Sequence, residues 1–262
     1  MLTDEQRDEH ARDLVEAERT GQWTKSLVTV HPDATIEDAY HVAAAVTGLK
    51  QQAGRVVKGH KIGLVSRAMR EVAGATEPDY GALFDDWFVA EGDVLDISRL
   101  NRPQVEVEVA FVLGRDIDGR TATAADVISA TDYVLPALEV VDSRYSSSPG
   151  GVVDSVADAA SCGRVVLGGN PVGLRDIDIR DVAATLFVNG EPIRSGMSSA
   201  VMGNPVNAIV WLARKLAEFG VTLEAGHVVL PGSFLQLAPF RAGDTVSAVF
   251  SAPFGSVGFG VR

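Results

Sequence analysis

Apolar positions recur at helical spacing over residues 3–19, where Ala11, Leu14 and Val15 share one face, and the pattern predicts an amphipathic helix. The capping-box-like start Thr35-Ile36-Glu37-Asp38 predicts a second helix reaching about Gln52. After Gly54 the texture changes to short β-rich runs at 56–65 (VVKGHKIGLV), 103–113 (PQVEVEVAFVL), 133–142 (YVLPALEVVD), 164–169 (RVVLGG) and 184–190 (ATLFVNG). Asn189-Gly190 ahead of Glu191-Pro192-Ile193 predicts a tight hairpin turn. Asn204-Pro205 opens a third helix that runs to Phe219, with Val206, Ile209, Val210, Ala213 and Leu216 on its inner face and Gly220 just past its end. The tail returns to β texture in HVVLPGSF, GDTVSAVFS and GSVGFGV, separated by glycine-containing turns. Many short strands with few intervening helices predict an α+β fold on a mixed sheet that is closed or rolled like a barrel, not a doubly wound one. The expected division is a small N-terminal helical lobe, residues 1–54, and a β-rich domain, residues 55–262.

Composition narrows the class. With 262 residues, 46% of them hydrophobic, the chain can bury a sizeable core. Lys plus Arg number 23 against 35 Asp plus Glu, and the net charge of −12 argues against nucleic acid or an anionic membrane as partner. The single cysteine, Cys162, excludes an intrachain disulfide and a Cys-based structural zinc site, which fits a reducing cytoplasm. No apolar run is long enough to cross a bilayer, and the acidic, amphipathic start MLTDEQRDEHARDLVEAERTG has no apolar stretch, so a soluble cytoplasmic protein is expected.

Two carboxylates interrupt the strand at 103–113. Residues i and i+2 of a strand share a face roughly 6.5 to 7 Å apart, so Glu106 and Glu108 converge while Val105, Val107, Val109 and Phe111 line the other side. Two readings stand. Alternating Val and Glu is how an amphipathic strand with one solvated face looks. Against that, Ala110 and Val112 continue the glutamate face, and Glu139 repeats the pattern in PALEVVD. Three converging acids would be costly to bury unpaired, whereas a divalent cation would cancel their repulsion, and an all-oxygen set selects Mg²⁺ or Mn²⁺. Lys61 lies in the apolar run VVKGHKIGLV, where burial and a nearby cation would lower its pKa; the alternative is a surface lysine at a strand end. His60 reads as structural, Cys162 as a small buried hydrophobe, and His10, His31, His41 and His227 show no metal spacing. Asp142 and Arg144 are expected to pair and brace the strand that carries Glu139, and the small-residue stretch 145–154 is expected to be a mobile lid.

GHKIGL (59–64), EPDYGAL (77–83), PQVEVEVAFVL, YVLPALEVVDSR (133–144), DSVADAAS (154–161), GNPVNAIVWLARKL (203–216), LPGSF (230–234) and AGDTV (242–246) together resemble the 2-oxopent-4-enoate hydratase and 4-oxalocrotonate decarboxylase family of the fumarylacetoacetate hydrolase superfamily. The resemblance implies that superfamily's C-terminal-like fold and a cytoplasmic Mg²⁺ or Mn²⁺ lyase. Its substrates would be 2-hydroxy-2,4-dienoates or their 2-oxo tautomers, in the meta-cleavage degradation of aromatic rings or steroids. It places metal ligands on Glu106, Glu108 and Glu139, catalytic groups on Lys61 and Asp79, and substrate contacts on Leu64, Gly232 and Ser233. Asp79 after Pro78 is also ordinary turn chemistry, and Ser233 in Pro-Gly-Ser is also a turn former. Val65 and Ala159 depart from the family's usual Thr or Ser and Asn at positions bordering the site. A homo-oligomer, with association with another enzyme of the pathway, is a further implication. Hydration is the first activity implied and decarboxylation the alternative; a silent partner subunit and acylpyruvate hydrolysis fit the residues less well.

Overall fold

The computed structural model describes residues 1–146 and 151–262. The chain opens with α1 (Asp4–Thr20), α2 (Leu27–Val30) and α3 (Ile36–Gln52). Thr3 caps α1 and Thr35 caps α3, each in a reciprocal capping box with the residue three positions on, which satisfies amides the helix start leaves free. Next come β1 (Val57–Gly63), α4 (Arg67–Ala73), β2 (Asp79–Phe84), β3 (Phe88–Val89), β4 (Val94–Leu95), β5 (Gln104–Leu113), α5 (Ala124–Ala130) and β6 (Thr131–Val141). The remainder is α6 (Val152–Ala157), β7 (Cys162–Leu167), β8 (Ala183–Val188), β9 (Glu191–Met197), α7 (Pro205–Glu218), β10 (Val228–Leu230), β11 (Ala238–Pro239), β12 (Thr245–Phe250) and β13 (Ser256–Val261).

Among the described residues the strands form two sheets. The larger has the order β2-β1-β10-β5-β6-β7-β3, with β11 also on β5; the smaller runs β4-β13-β12-β8-β9. Both are mixed, because β1 pairs with β10 and β13 with β4 in parallel while β5, β6 and β7 are antiparallel. This is the expected α+β architecture. The hairpin at Asn189-Gly190 forms with both residues at positive φ, 54° and 80°, the geometry a two-residue turn of matching twist demands. Asn204 caps α7, and Pro205 takes its first turn.

The main core lies between the sheets, where Val105, Val107, Val109 and Phe111 of β5 meet Val206, Ile209 and Leu212 of α7 and Phe250 and Phe259 of the smaller sheet. A second cluster, including Ala110, Leu135, Ala137, Cys162 and Leu230, fills the other face of the larger sheet. A third joins α1 and α3 to α6 through Ala11, Leu14, Tyr40, Val42, Tyr145 and Val156. Of the stretch expected as a lid, residues 147–150 lie outside the described residues; Tyr145 is buried with its hydroxyl 3.0 Å from His10 Nε2, and residues from Val152 onward form α6.

Candidate metal centre

Strand register assembles the carboxylates. In the β5–β6 pair Glu106 stands opposite Glu139, and Glu108 follows two residues on along the same face. One carboxylate oxygen from each of the three lies within 4.8 Å of the others. Glu108 and Glu139 are fully buried and Glu106 half-buried. The reading in which these acids face solvent does not describe this sheet. Glu108 Oε2 accepts the Gly232 backbone N–H at 2.7 Å, but Glu108 Oε1 and Glu139 Oε2 have no hydrogen-bond donor among the described residues.

Burial pushes Glu106 up to about 7, with Glu139 and Asp79 adding to the shift and Lys61 opposing it. Burial, then the charges of Glu139 and Glu106, push Glu108 well up, and burial raises Glu139 against the pull of Lys61. Three such groups with unsatisfied oxygens fit a hard divalent cation, whose charge and open coordination positions answer both deficits.

Lys61 reaches this cluster from β1. Its ammonium is buried, 3.0 Å from Glu139 Oε1, and donates to the Ala160 carbonyl at 2.9 Å. Burial does press its pKa downward, as the sequence suggested. Glu139, Glu106 and Asp79 outweigh burial, however, and the net shift is upward, so Lys61 is a cation here. Asp79, at the start of β2, is buried, accepts from the Ser155 hydroxyl at 2.5 Å, and has its Oδ1 unpartnered among the described residues. Burial raises its pKa against the nearby charge of Lys61. It is paired within the antiparallel β1–β2 ladder opposite Gly63, where any side chain would strike its carboxylate, with a Cβ 2.2 Å from Oδ1.

The loop after β10 closes the near side. Gly232 has φ +112°, and a Cβ there would lie 2.5 Å from Val65 Cγ1, so glycine is required twice over. Ser233 shapes the loop: its hydroxyl donates to the Leu235 carbonyl at 2.8 Å and accepts the Val107 N–H at 3.2 Å, tying the loop to β5. Leu64, at φ +55°, turns the chain out of β1, and Arg70 donates to the Leu64 and Val65 carbonyls at 2.9 and 3.0 Å.

Two expectations are corrected. Arg144 pairs with Asp158, Nε to Oδ1 at 2.6 Å, and takes only the backbone carbonyl of Asp142, because that carboxylate accepts the Asn101 and Arg102 amides. His60 is buried, as a structural group would be, and Lys61 is no surface lysine at a strand end, although Lys58 on the same strand is exposed. The contacts of Ser155 and of the Ala160 carbonyl were not foreseen. Both lie in DSVADAAS, and nothing in those residue types announces a backbone acceptor.

Residues 40–261 match the profile of the fumarylacetoacetate hydrolase C-terminal family. The chain is 41% identical to a 2-oxo-hept-4-ene-1,7-dioate hydratase of Escherichia coli, over 95% of this chain and 94% of that protein. It is 40% identical to a 2-keto-4-pentenoate hydratase of Paraburkholderia xenovorans strain LB400, over 98% and 94%. It is also similar to the solved structure of 4-oxalocrotonate decarboxylase from Pseudomonas putida G7 complexed with magnesium and adipate, with TM-score 0.96, 33% identity and coverage of 100% and 99%.

Proposed function

The chain belongs to the fumarylacetoacetate hydrolase family, and on that premise we propose that it is a divalent-metal-dependent hydratase. It would convert a 2-hydroxy-2,4-dienoate to a 4-hydroxy-2-oxo acid within meta-cleavage degradation. The observation that carries the reading is the convergence of three carboxylates with unsatisfied oxygens beside a buried ammonium. Hydratase relatives at about 40% identity across nearly the whole chain support the same reaction class.

Glu106, Glu108 and Glu139 would hold the ion. A divalent ion bound there would supply Lewis acidity to the carboxylate and 2-oxo oxygens of the substrate head. The rest falls to the chain. The dienol loses its hydroxyl proton and gains one at C5, giving a 2-oxo-3-enoate; water then delivers hydroxide to C4 and a proton to C3. Lys61, a cation with an N–H beyond its Ala160 bond, is placed to hydrogen-bond the developing enolate and to hand over a proton. Asp79, whose pKa burial raises against the charge of Lys61 and which Ser155 anchors, is the neighbouring group for proton transfer. Gly232 keeps the approach open and its N–H orients Glu108. Leu64 and Ser233 shape the walls.

Purified protein with Mg²⁺ is expected to consume 2-hydroxypenta-2,4-dienoate or a longer homologue, followed as loss of dienol absorbance; no loss with any chain length sinks the reading. The close structural likeness to a decarboxylase favours one second reading, release of carbon dioxide from a 2-oxo-3-enedioate. Trapping carbon dioxide during turnover separates the two.

A further inference from the structure

Ala159, Ala160 and Ser161 have φ of 50°, 52° and 59°, three consecutive non-glycine residues in the left-handed region. L side chains rarely adopt that region singly, and a run of three persists only where its surroundings impose it. Packing alone does not impose it, because Ala159, though buried, borders a cavity of about 720 Å³ together with His60, Tyr80 and Gly81. Hydrogen bonds do. Arg144 Nη2 donates to the Asp158 carbonyl at 2.7 Å and Nη1 to the Cys162 carbonyl at 2.6 Å, so one guanidinium grips both ends of the turn. The Asp158 carboxylate accepts Arg144 Nε, and Asp142 N–H donates to the Ser161 carbonyl at 2.8 Å. Gly81 permits the approach, since a Cβ there would lie 2.0 Å from the Ala159 carbonyl oxygen.

The product of this clamp is one acceptor: the Ala160 carbonyl, 2.9 Å from Lys61 Nζ. An ammonium has three N–H donors and rotates freely unless its partners stop it. Here Ala160 takes one N–H, and Glu139 Oε1, 3.0 Å away, draws the charge from a second side. We propose that Ala160 is a positioning residue. The left-handed turn 159–161, clamped by Arg144 and Asp158, fixes the direction in which Lys61 presents its remaining N–H to the substrate. The turn is strained so that a carbonyl, not a side chain, occupies that spot. This deepens the hydratase reading and rests on it.

Ala160→Gly is the test, because glycine tolerates φ +52° yet lets the turn leave it. The expected result is a fall in kcat of about tenfold, short of the roughly 100-fold that a 1 Å misplacement can produce. KM should stay within about twofold, and the thermal midpoint should be equal or higher. Arg144→Lys, which keeps the charge against Asp158 but loses the forked grip on two carbonyls, should give the same selective fall where it folds. In a Lys61→Met background Ala160→Gly should cause no further loss, since nothing remains to be aimed. Unchanged kcat, a parallel fall of kcat and thermal midpoint, or an additive effect in Lys61→Met overturns the proposal. Proton exchange at C3 of 2-oxopentanoate in deuterium oxide with Mg²⁺, read by NMR, keeps the two claims apart. If wild type exchanges C3 but hydrates no dienol, and Ala160→Gly slows the exchange about tenfold, the positioning stands and the hydratase reading fails; if wild type exchanges nothing, or exchange is unaffected by the variant, the positioning fails.

Discussion

A carboxylate buried without a donor holds its proton or finds a cation, and Glu108 has one oxygen in that position. Glu106→Gln and Glu108→Gln should therefore act in opposite directions on two properties. Metal-dependent turnover is expected to fall about 100-fold or more, because each removes a charge and a ligand oxygen from the set. The metal-free thermal midpoint should hold or rise, because each also removes a like charge from a buried trio. A dienol-absorbance assay with Mg²⁺ beside a metal-free melt checks both; a variant with full activity ends the ligand assignment. Residues of this kind announce themselves in sequence, since an acid in an apolar strand needs a reason. The partner of Arg144 did not, because Asp142 is nearer in sequence while Asp158 is nearer in space, and the left-handed turn that makes it so has no residue-type signature. The net direction of the Lys61 shift without an ion in place was not legible for a related reason. Burial can be read from neighbours along the strand, but the three acids that outweigh it arrive from β2, β5 and β6.

At the level of elements, α1 is held to α3 and to the segments that lead into β1 and β3 by charge as well as by apolar contact. Glu18 sits between Lys50 and Arg55, with Arg55 Nη1 at 2.9 Å, and accepts Trp87 Nε1–H at 3.1 Å. Burial works against its charge, yet Lys50, Arg144 and Arg55 outweigh it and hold the carboxyl at about 2 instead of 4.5. A carboxyl depressed on folding contributes stability that is full above its unfolded pKa and is lost as pH falls through the folded one. The window is thus pH 4.5 to 2. Glu18→Gln should lower the thermal midpoint at neutral pH and flatten its decline across that window; parallel wild-type and variant profiles would disprove the role. Helices α1, α3 and α7 were legible because each has a side-chain cap and an apolar face. Helix α4 was not, because it buries no residue and so carries no apolar period. The run HVVLPGSF reads as one strand but pairs only over Val228–Leu230, where Pro231 and the positive φ of Gly232 end it.

Across the whole molecule the site depends on an order of strands that local pattern does not encode. Strand β10, from the C-terminal part of the chain, enters between β1 and β5, parallel to one and antiparallel to the other. Its three residues are just long enough to hold those neighbours side by side, after which the Gly232 loop crosses to Glu108. Lys61 and the glutamates therefore share one continuous sheet, and a bound cation would tie β5 to β6 while relieving the repulsion between them. The linkage has a measurable size. A ligand that binds the folded state alone adds about 2.7 kcal/mol at 100 times its Kd, and at this chain length each kcal/mol moves the midpoint by about 2–4 °C. Mg²⁺ at that excess should therefore raise the thermal midpoint by about 5–10 °C over chelator-treated protein. Oxalate, which offers two oxygens as a 2-oxo acid does, should add a further rise with Mg²⁺ present and none without it. Glu139→Gln should abolish both increments together, because the two ligands share one centre; an oxalate effect that survives chelation would place the anion elsewhere and separate the substrate head from the three carboxylates.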